Sequence, residues 1–162
     1  MTREHVLSAT ATPMAEAGNL PALLTRVVGR DGVISGLTQQ LVRRRFLTIV
    51  GPGGIGKTTV AVDVADRVRA SYSHGVWFVE LASLSNPDLV PSVLCALLGI
   101  TLSGVNPLSG LDAWLGDKHI LIVLDSCEHV VGAIAAQAEA ILKAAPHTII
   151  LATSREPLRA EG

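Results

Sequence analysis

The chain has 162 residues, with 13 basic and 14 acidic side chains and a formal net charge of −1. Its 49% hydrophobic and 17% charged residues can bury a real core, which excludes disorder as the main state, and the near-neutral balance excludes a broad basic footprint for nucleic acid. Mean hydropathy is high at +0.45, yet no apolar run approaches the roughly 18 residues of a membrane span.

Met1 to Leu20 lacks the charged-then-apolar pattern of a leader. Cys95 and Cys127 are distant and form no CxxC pair, which fits a reducing compartment. The sequence reads as a cytoplasmic α/β domain, with residues 1–22 as a linker or arm and 23–162 as the core. Arg30 to Arg45 has helical spacing, with Val33, Ile34, Leu37, Leu41 and Val42 on one face. Phe46 to Val50 is a short buried strand. After a glycine-rich loop, Thr58 to Ala70 returns to helical spacing, with Asp63, Asp66 and Arg67 expected to face outward. Val76 to Leu81 is the second strand. Asn86-Pro87-Asp88 signals a helix start, Pro91 delays it, and Gly99 stops it. Leu108 to Leu115 suggests a short helix, His119 to Asp125 a fully buried strand, Val131 to Ala145 a helix and Thr148 to Thr153 a fourth strand. Strands that alternate with helices predict a parallel sheet covered on both faces.

The sharpest motif is Gly51-Pro52-Gly53-Gly54-Ile55-Gly56-Lys57-Thr58-Thr59. It fits G-x-x-x-x-G-K-[ST] and lies between a predicted strand and a predicted helix, the context the motif requires. Glycines at Gly51, Gly53, Gly54 and Gly56 let backbone N–H groups, including that of Ile55, converge on phosphate oxygens. The helix start adds its positive dipole end. Lys57 puts a point charge on the β and γ phosphates, and Thr58 offers a hydroxyl to Mg²⁺. The second motif is the apolar strand that ends in Asp125, a carboxylate at the ligand-binding edge of an open α/β sheet and a second candidate for Mg²⁺. Ser126 follows it where many hydrolases carry a glutamate, so Glu128 is the nearest candidate for a base that polarises water. The third is Ala152 to Pro157 after the fourth strand, from which Arg155 could reach a γ-phosphate. Cys127 and His129 beside Glu128 make a poor metal pair without a second cluster. Arg43-Arg44-Arg45 reads as a solvated run that matches a helix dipole.

With these strings in hand, the chain resembles the STAND class of P-loop NTPases, in particular the branch found in bacterial transcriptional regulators of the LuxR and SARP types. The strings that carry the resemblance are Asn19-Leu20-Pro21, Val28-Gly29-Arg30-Asp31, Gly51 to Thr59, Leu124 to His129 and Thr153 to Leu158. The resemblance implies a three-layer P-loop fold with ASCE strand order, in which the strand before Arg155 lies between those before Gly51 and up to Asp125. It implies that Val27, Val28, Gly29 and Arg30 line the base and ribose, and that Arg155 senses the γ-phosphate. Asparagine usually follows the aspartate in this branch; Ser126 departs from that. A further strand and lid domains follow in the family, so the chain is expected to be a truncated core. Fused DNA-binding and sensor domains and self-association are expected of a full-length protein, with no direct DNA contact from this stretch and no membrane partner.

The expected function is an ATP- or ADP-binding core that hydrolyses slowly with Mg²⁺ and acts as a switch on a transcriptional regulator. A small P-loop kinase competes, although no arginine-rich lid is evident. A module that binds nucleotide without hydrolysis competes too, and Ser126 favours it.

Overall fold

The computed structural model describes residues 18–23, 29–101, 104 and 106–158. Five α-helices, α1 (Asp31–Arg43), α2 (Lys57–Val68), α3 (Val90–Leu97), α4 (Pro107–Leu115) and α5 (Val131–Ala144), alternate with β1 (Phe46–Val50), β2 (Val76–Glu80), β3 (Ile120–Asp125) and β4 (Thr148–Ser154). The four strands form one parallel sheet in the order β1-β4-β3-β2. The strand that leads to Arg155 therefore lies between the one that feeds the glycine loop and the one that ends in Asp125.

The period of two along β3 assigns its side chains to two cores. Ile120, Ile122 and Leu124 join Leu94, Leu111, Leu115, Ile134 and Ile141 from α3, α4 and α5. Leu121 and Val123 join Ile34, Leu41, Val60, Val64 and Val68 from α1 and α2. All six residues of β3 are buried, as a strand covered on both faces must be. The result is a three-layer α/β fold with a parallel sheet.

Helix ends follow the local chemistry. Asn86 accepts a hydrogen bond from the Asp88 amide at 3.0 Å, but the turn it caps, Pro87–Leu89, is a 3₁₀ turn and α3 begins only at Val90. Asn106 before Pro107 repeats this cap for α4, accepting from the Leu108 amide at 2.9 Å. Gly99, at φ +70°, ends α3, with Ile100 N–H donating to Cys95 O at 2.8 Å and Gly99 N–H to Ala96 O at 3.2 Å.

Two expected faces differ in the structure. On α1 only Ile34 and Leu41 are buried, whereas Val33 and Val42 are exposed. The helix packs at the margin, against α2 and β1, so a narrower stripe is covered than its apolar residues would span. Asp63, expected to face water, is buried on α2. There α2 lies beneath α1, and Arg67 Nε, one turn on, donates to the Asp63 carboxylate at 2.6 Å. The arginine extends outward and also meets Asp31 of α1 at 3.5 Å.

The chain at Gly18 and Asn19 lies along β2. Asn19 Nδ2 donates to Phe78 O at 2.8 Å and Asn19 Oδ1 accepts from Phe78 N–H at 2.6 Å. The side-chain amide makes the pair of bonds that a neighbouring strand residue would make. No helix among the described residues is long and apolar enough to cross a membrane.

Candidate functional site

The candidate site is built on the C-terminal ends of β1, β3 and β4. The loop after Val50 is tied to β4 by Gly51 N–H, which donates to Ser154 O at 3.2 Å. Gly54 at φ +78° and Gly56 at φ +83° hold the left-handed backbone that turns the loop into α2. The other glycines answer to close approach: a Cβ on Gly51 would lie 2.3 Å from the Ile55 side chain, and one on Gly53 would lie 3.4 Å from Arg155 Nη2. Lys57 Nζ bends back over its own loop, donating to Gly51 O at 2.8 Å and Pro52 O at 3.0 Å. These carbonyl bonds hold its charge beside the concave backbone.

Thr58, in the first turn of α2, reaches the end of β3. Its hydroxyl lies 2.8 and 2.9 Å from the two oxygens of Asp125. Asp125 is 4% exposed, so its charge must be compensated by hydrogen bonds. Thr153 of β4 donates to Oδ1 at 2.6 Å and Ser126 Oγ donates to Oδ2 at 3.2 Å. Ser126 N–H in turn donates to Thr153 Oγ1 at 3.0 Å, which fixes the direction of the threonine hydroxyl. Ser126 makes these contacts from φ +61°, the one positive φ of a non-glycine residue among those described; strain of this kind collects at functional sites.

Glu128 follows on a 3₁₀ turn, Cys127–His129, anchored by the buried Cys127. Its Oε1 lies 3.4 Å from Arg155 Nε. The Cys127 thiol donates to Leu124 O at 3.4 Å. Burial, with the nearby Asp125 and Glu128 charges, pushes it up to about 12. No group of three or more His, Cys, Asp or Glu side chains arranged to hold a metal occurs among the described residues.

Glycines 53, 54 and 56, Lys57, Thr58, Thr59, Ser126, Glu128, Thr153 and Arg155 enclose one cleft of about 320 Å³, a volume in the range of small-ligand sites. The donors fit a phosphate bound with a hard cation. A hydroxyl and a carboxylate stand side by side where Mg²⁺, which keeps most of its water, needs only one or two protein oxygens. Arg30, the residue before α1, brings Nη1 to 3.6 Å from where a Gly56 Cβ would lie. Ile55 is exposed at the loop tip, and Gly29, at φ +80°, forms the turn before Arg30. Val27 and Val28 lie outside the described residues. Sequence reasoning placed Thr153 among the polar groups at the end of the fourth strand but not as a partner of Asp125. Its one signal was a hydroxyl at the end of an apolar strand, where it is 1% exposed.

No family model matches the chain. It is 31% identical over 140 residues to an uncharacterized protein of Mycobacterium tuberculosis (strain ATCC 25618 / H37Rv), covering 86% of this chain and 36% of that protein. It is 35% identical over 123 residues to a protein of the same strain named as an HTH-type transcriptional regulator, covering 75% of this chain and 14% of the other. To the regulatory protein AfsR of Streptomyces coelicolor (strain ATCC BAA-471 / A3(2) / M145) it is 28% identical over 165 residues, covering 90% and 16%. The chain thus spans little more than a third of the first of these relatives and far less of the others. Among solved structures, Cdc6p from Pyrobaculum aerophilum superposes with a TM-score of 0.63 at 12% identity, over 88% of this chain and 42% of that one. That likeness is one of fold. The chain has a P-loop-type α/β fold and resembles a segment of bacterial regulatory proteins.

Proposed function

We propose that this chain is the nucleotide-binding core of a signal-transducing ATPase of the STAND type, which binds ATP or ADP with Mg²⁺ and hydrolyses it slowly. The observation that carries the reading is the contact of the Thr58 hydroxyl with both oxygens of Asp125, at the foot of a glycine loop that holds Lys57. In this reading the loop amides and Lys57 hold the β and γ phosphates, Thr58 and Asp125 hold the cation, and Arg155 meets the γ-phosphate. Val27, Val28, Gly29 and Arg30 face the base and ribose, and residues 1–22 form an arm ahead of the core. When bound, Mg²⁺ would supply charge neutralisation on the phosphate oxygens. Thr153 and Ser126 orient the Asp125 carboxylate for it. In a longer regulator, ATP and ADP would shift a conformational equilibrium through their different contacts with Arg155. DNA-binding and sensor domains would belong to such a protein, and this stretch would not itself touch DNA.

Calorimetry with Mg-ATP tests this. Saturable binding is expected, with heat lost in Lys57→Ala and in the presence of excess EDTA for the Mg²⁺-dependent part. A folded chain that takes up no nucleotide overturns the reading.

A second reading, binding without turnover, is favoured by Ser126, which stands where a carboxylate would polarise water. Single-turnover phosphate release separates the two: release of phosphate from bound ATP sinks the second reading, and its absence sinks the first.

A further inference from the structure

We infer that Glu128 is a positioning residue for Arg155, which it holds over the phosphate loop, and not the base that activates water. The inference rests on the nucleotide site proposed above. Glu128 lines the cleft, and its two carboxylate oxygens are placed differently. Oε1 lies 3.4 Å from Arg155 Nε. Oε2 is sealed from solvent and has no hydrogen-bond partner among the described residues. A general base must lie within hydrogen-bond reach of the proton it takes; that leaves Oε1, the oxygen that faces Arg155.

The arginine end of the pair is arranged in the complementary way. Its side chain is 61% exposed, so packing does little to fix it. Its backbone is fixed, because it follows the fully buried Ser154, whose Oγ accepts from Glu156 N–H at 3.2 Å. Glu128 is itself held, by the turn that buried Cys127 anchors. The contact uses Nε. That leaves the terminal nitrogens without a hydrogen-bond partner among the described residues, with Nη2 the atom that comes nearest the space above Gly53, at 3.4 Å from a Cβ built there. A guanidinium offers five donors in a rigid fork. Taking Nε with a carboxylate turns the other end of that fork toward the loop, where a terminal phosphate would lie. The role needs an acceptor oxygen at position 128, and a glutamine supplies one.

Titrate Mg-ATP and Mg-ADP into the 162-residue chain and compare the ratio of the two affinities. Arg155→Ala is expected to lower the ATP preference about tenfold. Glu128→Ala should lower it by a similar factor, Glu128→Gln should retain most of it, and the double variant Glu128→Ala/Arg155→Ala should lose no more than Arg155→Ala alone. Should Glu128→Ala fail to fold, Glu128→Asp, with a shorter arm, reads the same loss. Phosphate release provides the independent check: Glu128→Gln should keep most of the wild-type rate. If Glu128→Ala leaves the ATP preference intact, or Glu128→Gln abolishes phosphate release while binding survives, the inference falls and the nucleotide site stands. If the wild-type chain binds neither nucleotide, both fall.

Discussion

Asp125 makes the electrostatics of the site depend on its neighbours. A carboxylate with 4% exposure has lost most of its hydration, and here three hydroxyls, from Thr58, Ser126 and Thr153, replace that water. The bond from Thr153, at 2.6 Å, is the shortest of them. Thr153→Val keeps the shape and removes the donor. It should destabilise the fold by about 2 kcal/mol, the usual size for a bond to a charged group. Urea denaturation reads this directly, and an unchanged midpoint would mean that the carboxylate does not depend on this hydroxyl. The phosphate-loop residues were legible because their spacing is fixed within one segment. Thr153 was not, since its partner is 28 residues away and meets it only through strand adjacency.

Among the elements, strands and helix stops were the most legible. Apolar runs five to seven residues long and Gly99 state their structure locally. What was not legible was which flank of a helix is covered. Val33 and Val42 look like core by composition but lie beyond the margin of the α1 contact, and Asp63 looks like surface but lies under α1. Both outcomes depend on where α1 crosses α2, and no periodicity within either helix contains that. The cap of α4 is local, and went unread because the expected helix began at Leu108, inside it. Asn106→Ala removes the acceptor for the Leu108 amide and should cost about 1 kcal/mol. Thermal melting should show the drop, and no change in midpoint would mean that water satisfies this helix end equally well.

At the scale of the molecule, the sheet has two margins of different kind. β1 pairs only with β4 among the described residues, and its outer backbone groups have the character of an unguarded edge. β2 at the other margin is occupied by Asn19, whose amide takes both the N–H and the carbonyl of Phe78. Asn19→Ala should leave the fold intact and uncover the Phe78 backbone at that margin, with only the bonds to Val76 left to cover it. Sedimentation at high protein concentration should then detect species larger than two chains, which the wild-type sequence should not form; an identical distribution would mean that the amide guards nothing. A sheet with one open side can grow by one further sheet and no more. Two copies that meet β1 to β1 do so about a twofold axis and use up both open margins, which is a closed arrangement. A fibre needs two complementary ends on every subunit, and the stretch at Gly18 and Asn19 removes the second.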